Sequence, residues 1–283
     1  MKQIVSIGIG LIGGSLAKEL KKLYPEATLF GIDNNARHME QALKLGLIDA
    51  EATYTELAKA DLVILSVPVD AAAKLLPEIL DHIADHTLVL DMGSTKQNIC
   101  QTVKTHKNRR NFLAVHPIAG TEFSGPKAAT DNLFKNKTII ICEVENTAFK
   151  LQEKALQLFA QLGMRIRYMN PTAHDKHIAY VSHLSHISSF MLGKTVIEKE
   201  KNERDIFDMA GSGFESTVRL AKSSPDMWTP IFKENKQNVI ETLEEYIQNL
   251  IAFKQLMQQD DFDGIYNEMK NTNHIKNILN GIS

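Results

Sequence analysis

Val5-Ser6-Ile7-Gly8-Ile9-Gly10-Leu11-Ile12-Gly13-Gly14-Ser15 runs an apolar strand into the spacing G-x-G-x-x-G and opens a helix within the first fifteen residues. Gly8 permits the tight turn, Gly10 lets a pyrophosphate approach the backbone with no Cβ in the way, and Gly13 lets the helix lie close on the sheet. The amides at the helix start, those of Leu11 and Ile12 among them, then face the phosphates. A second β-like run, Thr28-Leu29-Phe30-Gly31-Ile32, ends in Asp33, twenty residues past Gly13. That is the place for an acid that binds the adenosine ribose. A carboxylate there accepts from a 2′-hydroxyl and repels a 2′-phosphate, so NAD is expected over NADP. Arg37 and Arg109 are the cations that would pull the other way.

Outward from this stretch, strand and helix signals alternate through residues 1–169. Positions 36–45 have helical spacing and stop at Gly46, a residue suited to the left-handed turn that ends helices. Leu62-Val63-Ile64-Leu65-Ser66-Val67 is the continuous apolar run of a strand buried on both faces, closed by Pro68. Asp70 is placed to cap the helix that follows. Leu88-Val89-Leu90-Asp91, Phe112-Leu113-Ala114-Val115 and Thr138-Ile139-Ile140-Ile141-Cys142 come next. Helical spacing over 147–162 then stops at Gly163, before a last β-like run from Arg165 to Met169. The alternation predicts a doubly wound, parallel α/β sheet of Rossmann type, a dinucleotide-binding domain over 1–169.

After Asn170-Pro171 the β signals stop, and residues 170–283 read as amphipathic helices near 178–199, 205–221 and 227–257. An all-helical C-terminal domain is therefore expected. Helices of this sort cannot easily close a core around one another in one small layer. A second copy would cover them, and a homodimer is expected.

Composition narrows the partners. With 283 residues, two ordinary domains and a substantial core are available. The 32 basic and 34 acidic residues, a formal net charge of −2, leave no electrostatic footprint for nucleic acid or an anionic membrane. Cys100 and Cys142 belong to no close pair, so neither a zinc site nor a disulfide framework is expected, and a reducing compartment fits. There is no signal core at the N-terminus and no run near the ~20 apolar residues that span a bilayer. The expectation is a soluble, cytoplasmic protein that binds no metal and acts on a small molecule.

In an open α/β sheet, ligands bind beyond the carboxyl ends of the strands, which gives most weight to the residues just after each apolar run. Ser66-Val67-Pro68, Asp91-Met92-Gly93-Ser94-Thr95-Lys96 and His116-Pro117-Ile118-Ala119-Gly120-Thr121-Glu122 hold those places, with Ser66, Pro68 and Ser94 on the nicotinamide side. His116 is the candidate base, because an imidazole titrates near neutral pH and can accept a hydroxyl proton while hydride leaves the same carbon. Ser94 can orient that imidazole or the substrate hydroxyl, and as a serine at a helix start it is equally an N-cap.

Four of the ten histidines cluster as His174, His177, His183 and His186. On one ideal helix, at ~100° per residue, His177 lies opposite His186 and His174 opposite His183. Four metal ligands would not converge, so the cluster reads as polar groups turned toward two surroundings, one of which can face a substrate anion. Gly211-Ser212-Gly213-Phe214-Glu215-Ser216-Thr217-Val218-Arg219 sets an arginine on a helix after a glycine-rich turn. A guanidinium holds a carboxylate in a bidentate fork that lysine cannot match, and Arg219 is the candidate anchor. Trp228 reads as core or interface.

Taken together, these segments resemble the prephenate and arogenate dehydrogenases of tyrosine biosynthesis, the TyrA family, over nearly the whole chain. The resemblance rests on Gly8 to Ser15, Asp91-Met92-Gly93-Ser94-Thr95-Lys96, His116-Pro117-Ile118-Ala119-Gly120, His183-Leu184-Ser185-His186, Arg219-Leu220-Ala221-Lys222-Ser223 and Pro225-Asp226-Met227-Trp228. It implies that His116 bonds the ring 4-hydroxyl with Ser94 beside it, that Glu122 stands at the mouth of the site, and that His186 and Arg219 lie near the substrate carboxylates, with His183 a further substrate-binding candidate. It also implies a dimer through the helical domain. Two departures stand out: Ser212 breaks the all-glycine turn, and Ser216 stands where some relatives carry an aspartate, which bears on the support of Arg219.

Two rival readings remain open at the level of sequence. A β-hydroxyacid dehydrogenase also joins a Rossmann domain to helices and would want a lysine base after the boundary, where Lys176 and Lys194 lie. A catalytically silent NAD sensor would need no base at position 116.

Overall fold

Strand β1 (Gln3–Ile7) sits inside an eight-stranded sheet in the order β3-β2-β1-β4-β5-β6-β7-β8, in a computed structural model that describes residues 1–201, 203 and 205–280. Its neighbours are β2 (Thr28–Ile32) and β4 (Leu62–Leu65), both parallel to it. The chain runs one way from β1 through α1 (Leu11–Leu23), β2 and α2 (Ala36–Lys44) to the short β3 (Ala50–Glu51). It then crosses back to β4 and continues the other way through α3 (Val69–His82), β5 (Leu88–Asp91), α4 (Gln97–Thr102) and β6 (Phe112–Pro117). That reversal of direction opens the crevice between β1 and β4 where α/β sheets of this kind take ligands.

The continuous apolar runs are explained by burial on both faces. Alternate residues of each strand divide between two cores. Ile4, Ile64, Leu90 and Leu113 face one layer with Leu16 and Leu20 of α1, while Val5, Val63, Val89 and Phe112 face the other with Leu76 and Ile79 of α3. A strand with a polar face could not lie between two helical layers. Each of these side chains contributes about 1.5–3 kcal/mol when fully buried.

The sheet departs from the all-parallel expectation at its far edge. β7 (Thr138–Cys142) runs antiparallel to β6, and β8 (Arg165–Met169), reached through α5 (Phe149–Gln161), is parallel to β7. The cause lies in the connection: between β6 and β7 the only helical piece is the 3₁₀ turn Pro126–Ala128, and without a crossover helix the chain cannot return to start a parallel strand. β3 was not foreseen, since two residues carry no periodicity. Asp70 does not cap α3; it lies inside the first turn, and Pro68 holds the N-cap position.

The helical part opens with α6 (Pro171–Ile178). The Asn170 side chain accepts from the amides of Thr172 and Ala173, and Pro171 fills the first helical position, where no donor is needed. A π turn at Ala179–His183 joins it to α7 (Leu184–Glu200). α8 (Ser212–Val218), a 3₁₀ turn at Arg219–Lys222 and α9 (Pro225–Glu234) follow. The change to all-helical structure falls at Pro171, while the first compact unit runs on from Met1 to Lys236. Two features bind these helices to the sheet layers: Trp228 and Ile231 of α9 pack on Val69 of α3, and Asp175 of α6 bonds the start of α4.

The second unit begins at Gln237 and holds most of α10 (Lys236–Gln258), with α11 (Phe262–Thr272) and α12 (Ile275–Asn280). Ile247, Leu250, Ile251, Met257, Phe262 and Met269 of this unit are exposed. Among the described residues, no helix is long and apolar enough to cross a membrane.

Candidate active site

The turn after β1 is built to receive an anion. Gly8 adopts φ +85°, and a Cβ there would lie 2.6 Å from the Ser66 carbonyl oxygen, so both conformation and space demand glycine. A Cβ on Gly13 would collide with the Gly8 carbonyl and the Ser66 hydroxyl, which ties α1 tightly to the strand ends. Around Gly10, by contrast, the Cβ position is open space. Gly10 is also the N-cap of α1, offers no side-chain cap, and is followed by no acid in the first turn. The first amides of a thirteen-residue helix, at Leu11, Ile12 and Gly13, have no acceptor within the helix and are those an anion at this turn would meet.

Asp33 closes the far side. Its Oδ2 accepts from the Ile9 amide at 3.1 Å and its Oδ1 from the Asn35 amide at 2.9 Å, which fixes the carboxylate at the end of β2. The residues present thus fit a dinucleotide: open glycine backbone for the diphosphate and an oriented acid for a ribose. Arg37 is exposed on α2. Arg109 is not available to a phosphate, because it is buried with Nη1 on the Phe112 carbonyl and Nη2 on Glu143 at 2.9 Å each. Ser66 donates to the Gly8 carbonyl at 2.7 Å, so its hydroxyl proton holds the turn in place. Pro68 is exposed beside it.

At the end of β6, His116 is half-buried and its Nδ1 lies 2.9 Å from Nε2 of His174 on α6. His174 Nδ1 lies 2.7 Å from Asp175 Oδ1. Asp175, buried, accepts from the amides of Lys96 and Gln97 at 2.8 Å each, so a carboxylate from α6 caps α4. This replaces the expectation that Ser94 is the N-cap: the N-cap position falls on Lys96, two residues later, and Ser94 sits part-exposed in the preceding loop with no side-chain hydrogen bond among the described residues. That loop is tied from below. Lys96, fully buried, pairs with Asp91, whose Oδ1 accepts from the Gly93 amide at 2.9 Å.

Burial pushes the His116 imidazole well below its usual range, and the neighbouring His174, Lys96 and His183 act in the same direction. A neutral imidazole results, which is the form a base requires.

His183 is buried next to this group. Asn235 Nδ2 donates to the Asp175 carbonyl at 2.6 Å and lies 3.3 Å from His183 Nδ1, and His183 Nε2 has no hydrogen-bond partner among the described residues. Burial lowers its pKa to about 4. His174 and His183, expected on opposite faces of one helix, are both buried, and His174 is among the groups that bear on the His183 charge. The π turn between them takes more residues per turn than an α-helix and swings His183 round. His177 is exposed. Among the described residues, no group of three or more His, Cys, Asp or Glu is arranged to hold a metal.

His186 stacks on the Trp228 ring, centroids 3.5 Å apart, with its Nδ1 2.9 Å from the Ser182 carbonyl. Burial lowers its pKa, and Arg219 adds to the effect. Arg219 Nη1 in turn donates to Glu122 Oε2 at 3.2 Å. The candidates therefore form one electrostatic chain from His116 through His174 and His183 to His186, Arg219 and Glu122. Ser216 gives Arg219 no support, since its hydroxyl donates to the Gly213 carbonyl inside α8. The support comes from Ser189 of α7, which accepts from the Ala221 amide at 3.2 Å and donates to the Thr217 carbonyl at 2.9 Å, clamping the turn that carries Arg219.

Sequence reading missed His174, Asp175, Asn235 and Ser189 as parts of the site. The adjacent His174-Asp175 pair just after the boundary proline was the one available signal. Lys176 and Lys194, the lysines of the rival reading, are both exposed, and Lys194 pairs with Glu198 at 2.6 Å on the same helix.

Two family models match the chain: prephenate dehydrogenase, nucleotide-binding domain, over residues 16–168, and prephenate dehydrogenase, dimerization domain, over 170–271. A prephenate dehydrogenase of Bacillus subtilis is 31% identical over 271 residues, 94% of this chain and 73% of that protein. A cyclohexadienyl dehydrogenase of Zymomonas mobilis is 29% identical over 95% of this chain and 93% of its own length. Among solved structures, prephenate dehydrogenase from Aquifex aeolicus in complex with hydroxyphenyl propionate and NAD+ superposes with a TM-score of 0.86 at 31% identity, covering 99% of this chain and 98% of that one.

Proposed function

The chain belongs to the prephenate dehydrogenase family, and from that membership we propose that it oxidises and decarboxylates prephenate to 4-hydroxyphenylpyruvate with NAD, in tyrosine biosynthesis. The observation that carries this reading is His116: a desolvated imidazole at a strand end, in the same compact unit as an open dinucleotide cradle and a half-exposed arginine.

Gly8, Gly10, Leu11, Ile12, Gly13 and Asp33, with Ser66, Pro68 and Ser94 beyond, would hold NAD, which when bound would supply the hydride acceptor. His116 takes the 4-hydroxyl proton as the C4 hydrogen leaves with its electron pair, which turns C4 into a carbonyl. Its desolvation keeps it ready for that proton. Ser94, with an uncommitted hydroxyl, holds the same oxygen. Arg219 anchors a substrate carboxylate in a two-pronged hydrogen bond, with His183 and His186 behind it and Glu122 as the partner it exchanges. When the ring carboxylate departs as carbon dioxide, the electron pair of the broken C–C bond runs through the ring to the C4 oxygen. His116 returns its proton there, and a phenol forms. The proton count closes with no net uptake, and aromatisation drives the step. The chain's task is orientation, one base and carboxylate anchors.

We take residues 1–169 as the NAD-binding domain and 170–283 as the helical substrate and dimerisation domain of a homodimer. The description of the family model over 170–271 and the exposed apolar residues of α10 and α11 support that reading.

The test is a steady-state assay of the purified protein with prephenate and with arogenate, each with NAD and NADP. Formation of NADH with stoichiometric 4-hydroxyphenylpyruvate is expected. No reduction of either cofactor by either ring substrate would overturn the reading.

A further inference from the structure

As a carboxylate Asp175 only accepts hydrogen bonds, and two of the donors it takes are backbone amides, Lys96 on Oδ1 and Gln97 on Oδ2. The 2.7 Å contact from Oδ1 to His174 Nδ1 then requires the hydrogen on that nitrogen. In a neutral His174 this leaves a lone pair on Nε2, and the 2.9 Å contact to His116 Nδ1 requires His116 to supply the hydrogen. The last free position in the chain is His116 Nε2, which has no hydrogen-bond partner among the described residues and must carry the lone pair. The reverse arrangement needs an imidazolium at His174. That would add a cation beside buried Lys96, against an imidazole that must itself take up a proton, and would place the hydrogen on Nε2 of His116.

We propose that His174 and Asp175 are positioning residues that hold His116 in its Nδ1–H tautomer, so that Nε2 offers its lone pair to the substrate hydroxyl. The proposal rests on the functional reading above and deepens it. Asp175 is set for this role from both sides: the α4 amides fix its carboxylate, and Asn235 holds its backbone carbonyl at 2.6 Å. When His116 takes the proton on Nε2, its Nδ1–H bond to His174 strengthens, and the positive charge is felt by the Asp175 carboxylate through one imidazole. The logic is that of an acid–histidine couple lengthened by one ring, in which the carboxylate stays ionised and selects the tautomer. Neither His174 nor Asp175 touches substrate, and neither gains or loses a proton over the cycle.

The experiment pairs kinetics with a direct reading of the tautomer. In ¹⁵N-histidine-labelled protein, multiple-bond ¹H–¹⁵N spectra, with His116 assigned by its loss in His116→Asn, are expected to show protonated Nδ1 and unprotonated Nε2. Asp175→Asn is expected to reverse that pattern and lower kcat about 10²–10⁴-fold, with both KM values within about threefold, the signature of a wrong tautomer. Should Asp175→Asn fail to fold, His174→Gln and His174→Phe carry the test. Glutamine can still accept from His116 Nδ1 and is expected to keep at least tenfold more kcat than phenylalanine, which cannot. A wild-type His116 protonated at Nε2, an Asp175→Asn protein with unchanged tautomer, or equal kcat in the two His174 variants would overturn the proposal. Absence of prephenate turnover by the wild type would instead sink the functional reading and leave the tautomer measurement standing.

Discussion

Arg219 and Glu122, 97 positions apart in sequence, form an ion pair at 3.2 Å in which the arginine side chain remains half-exposed. Exposed pairs of this kind are worth about 0–1 kcal/mol, so the guanidinium can leave Glu122 for a substrate carboxylate at little cost. Hydrogen bonds to a charged group contribute about 1.5–3 kcal/mol each. Arg219→Lys removes the fork and is expected to raise KM for prephenate about 10- to 100-fold, with KM for NAD within about twofold. Initial-rate kinetics with each substrate varied in turn checks this. Equal effects on both would make Arg219 a structural residue of its turn.

His116→Asn keeps the size and a polar edge but removes the base. The expected loss in kcat is about 10²–10⁴-fold, with NAD affinity by fluorescence titration unchanged. The downward pKa of His116 adds a second expectation. In the wild type the acid limb of the kcat/KM profile for prephenate lies below pH 6.5, because protonation is what inactivates the base. A limb above that value would contradict the desolvated imidazole.

The same desolvation ties stability to pH through His183. Its Nδ1 faces the Asn235 amide, a donor, so a protonated ring would set two donors against each other in a buried site. In the fold the group takes a proton only near pH 4, against its ordinary 6.5. As pH falls, the unfolded chain binds the proton first, so this contribution to stability is complete above about 6.5 and is lost toward 4; His116 and His186 share the direction. Urea midpoints measured from pH 7.5 to 4 are expected to fall across that window, and His183→Gln to flatten the fall. A variant with the slope of the wild type would remove His183 from the account.

What was legible in the sequence was local. The continuous apolar runs at 62–65 and 88–90 and the glycine spacing at 8–13 each declare a strand or a turn within a few residues, and the alternating fold follows from them. The direction of β7 was not legible, because it depends on what is missing between residues 118 and 137. Nor was the capping of α4 by Asp175, whose partners are 79 and 78 positions away. The π turn defeats helical-wheel reasoning at the point where it matters, since a single irregular turn decides whether His183 shares a side with His174. Ser216 looked like the weak support of Arg219, whereas the clamp comes from Ser189 on another helix.

Cofactor choice rests on Asp33, whose two oxygens are already oriented by the amides of Ile9 and Asn35. With the carboxylate pinned at the end of β2, a 2′-phosphate would meet it at close range. Arg109 is committed to Phe112 and Glu143 and gives no relief, so of the two arginines the exposed Arg37 is the one left to favour NADP. Asp33→Ser removes the repulsion while keeping an oxygen for the amides. The expected outcome is a rise in the ratio of kcat/KM for NADP to that for NAD of about tenfold or more, the equivalent of ~1.4 kcal/mol. Most of it should come from improved NADP use. If the ratio stays where it is in the wild type, the carboxylate is not what discriminates, and the preference must arise from the backbone of the β2–α2 turn.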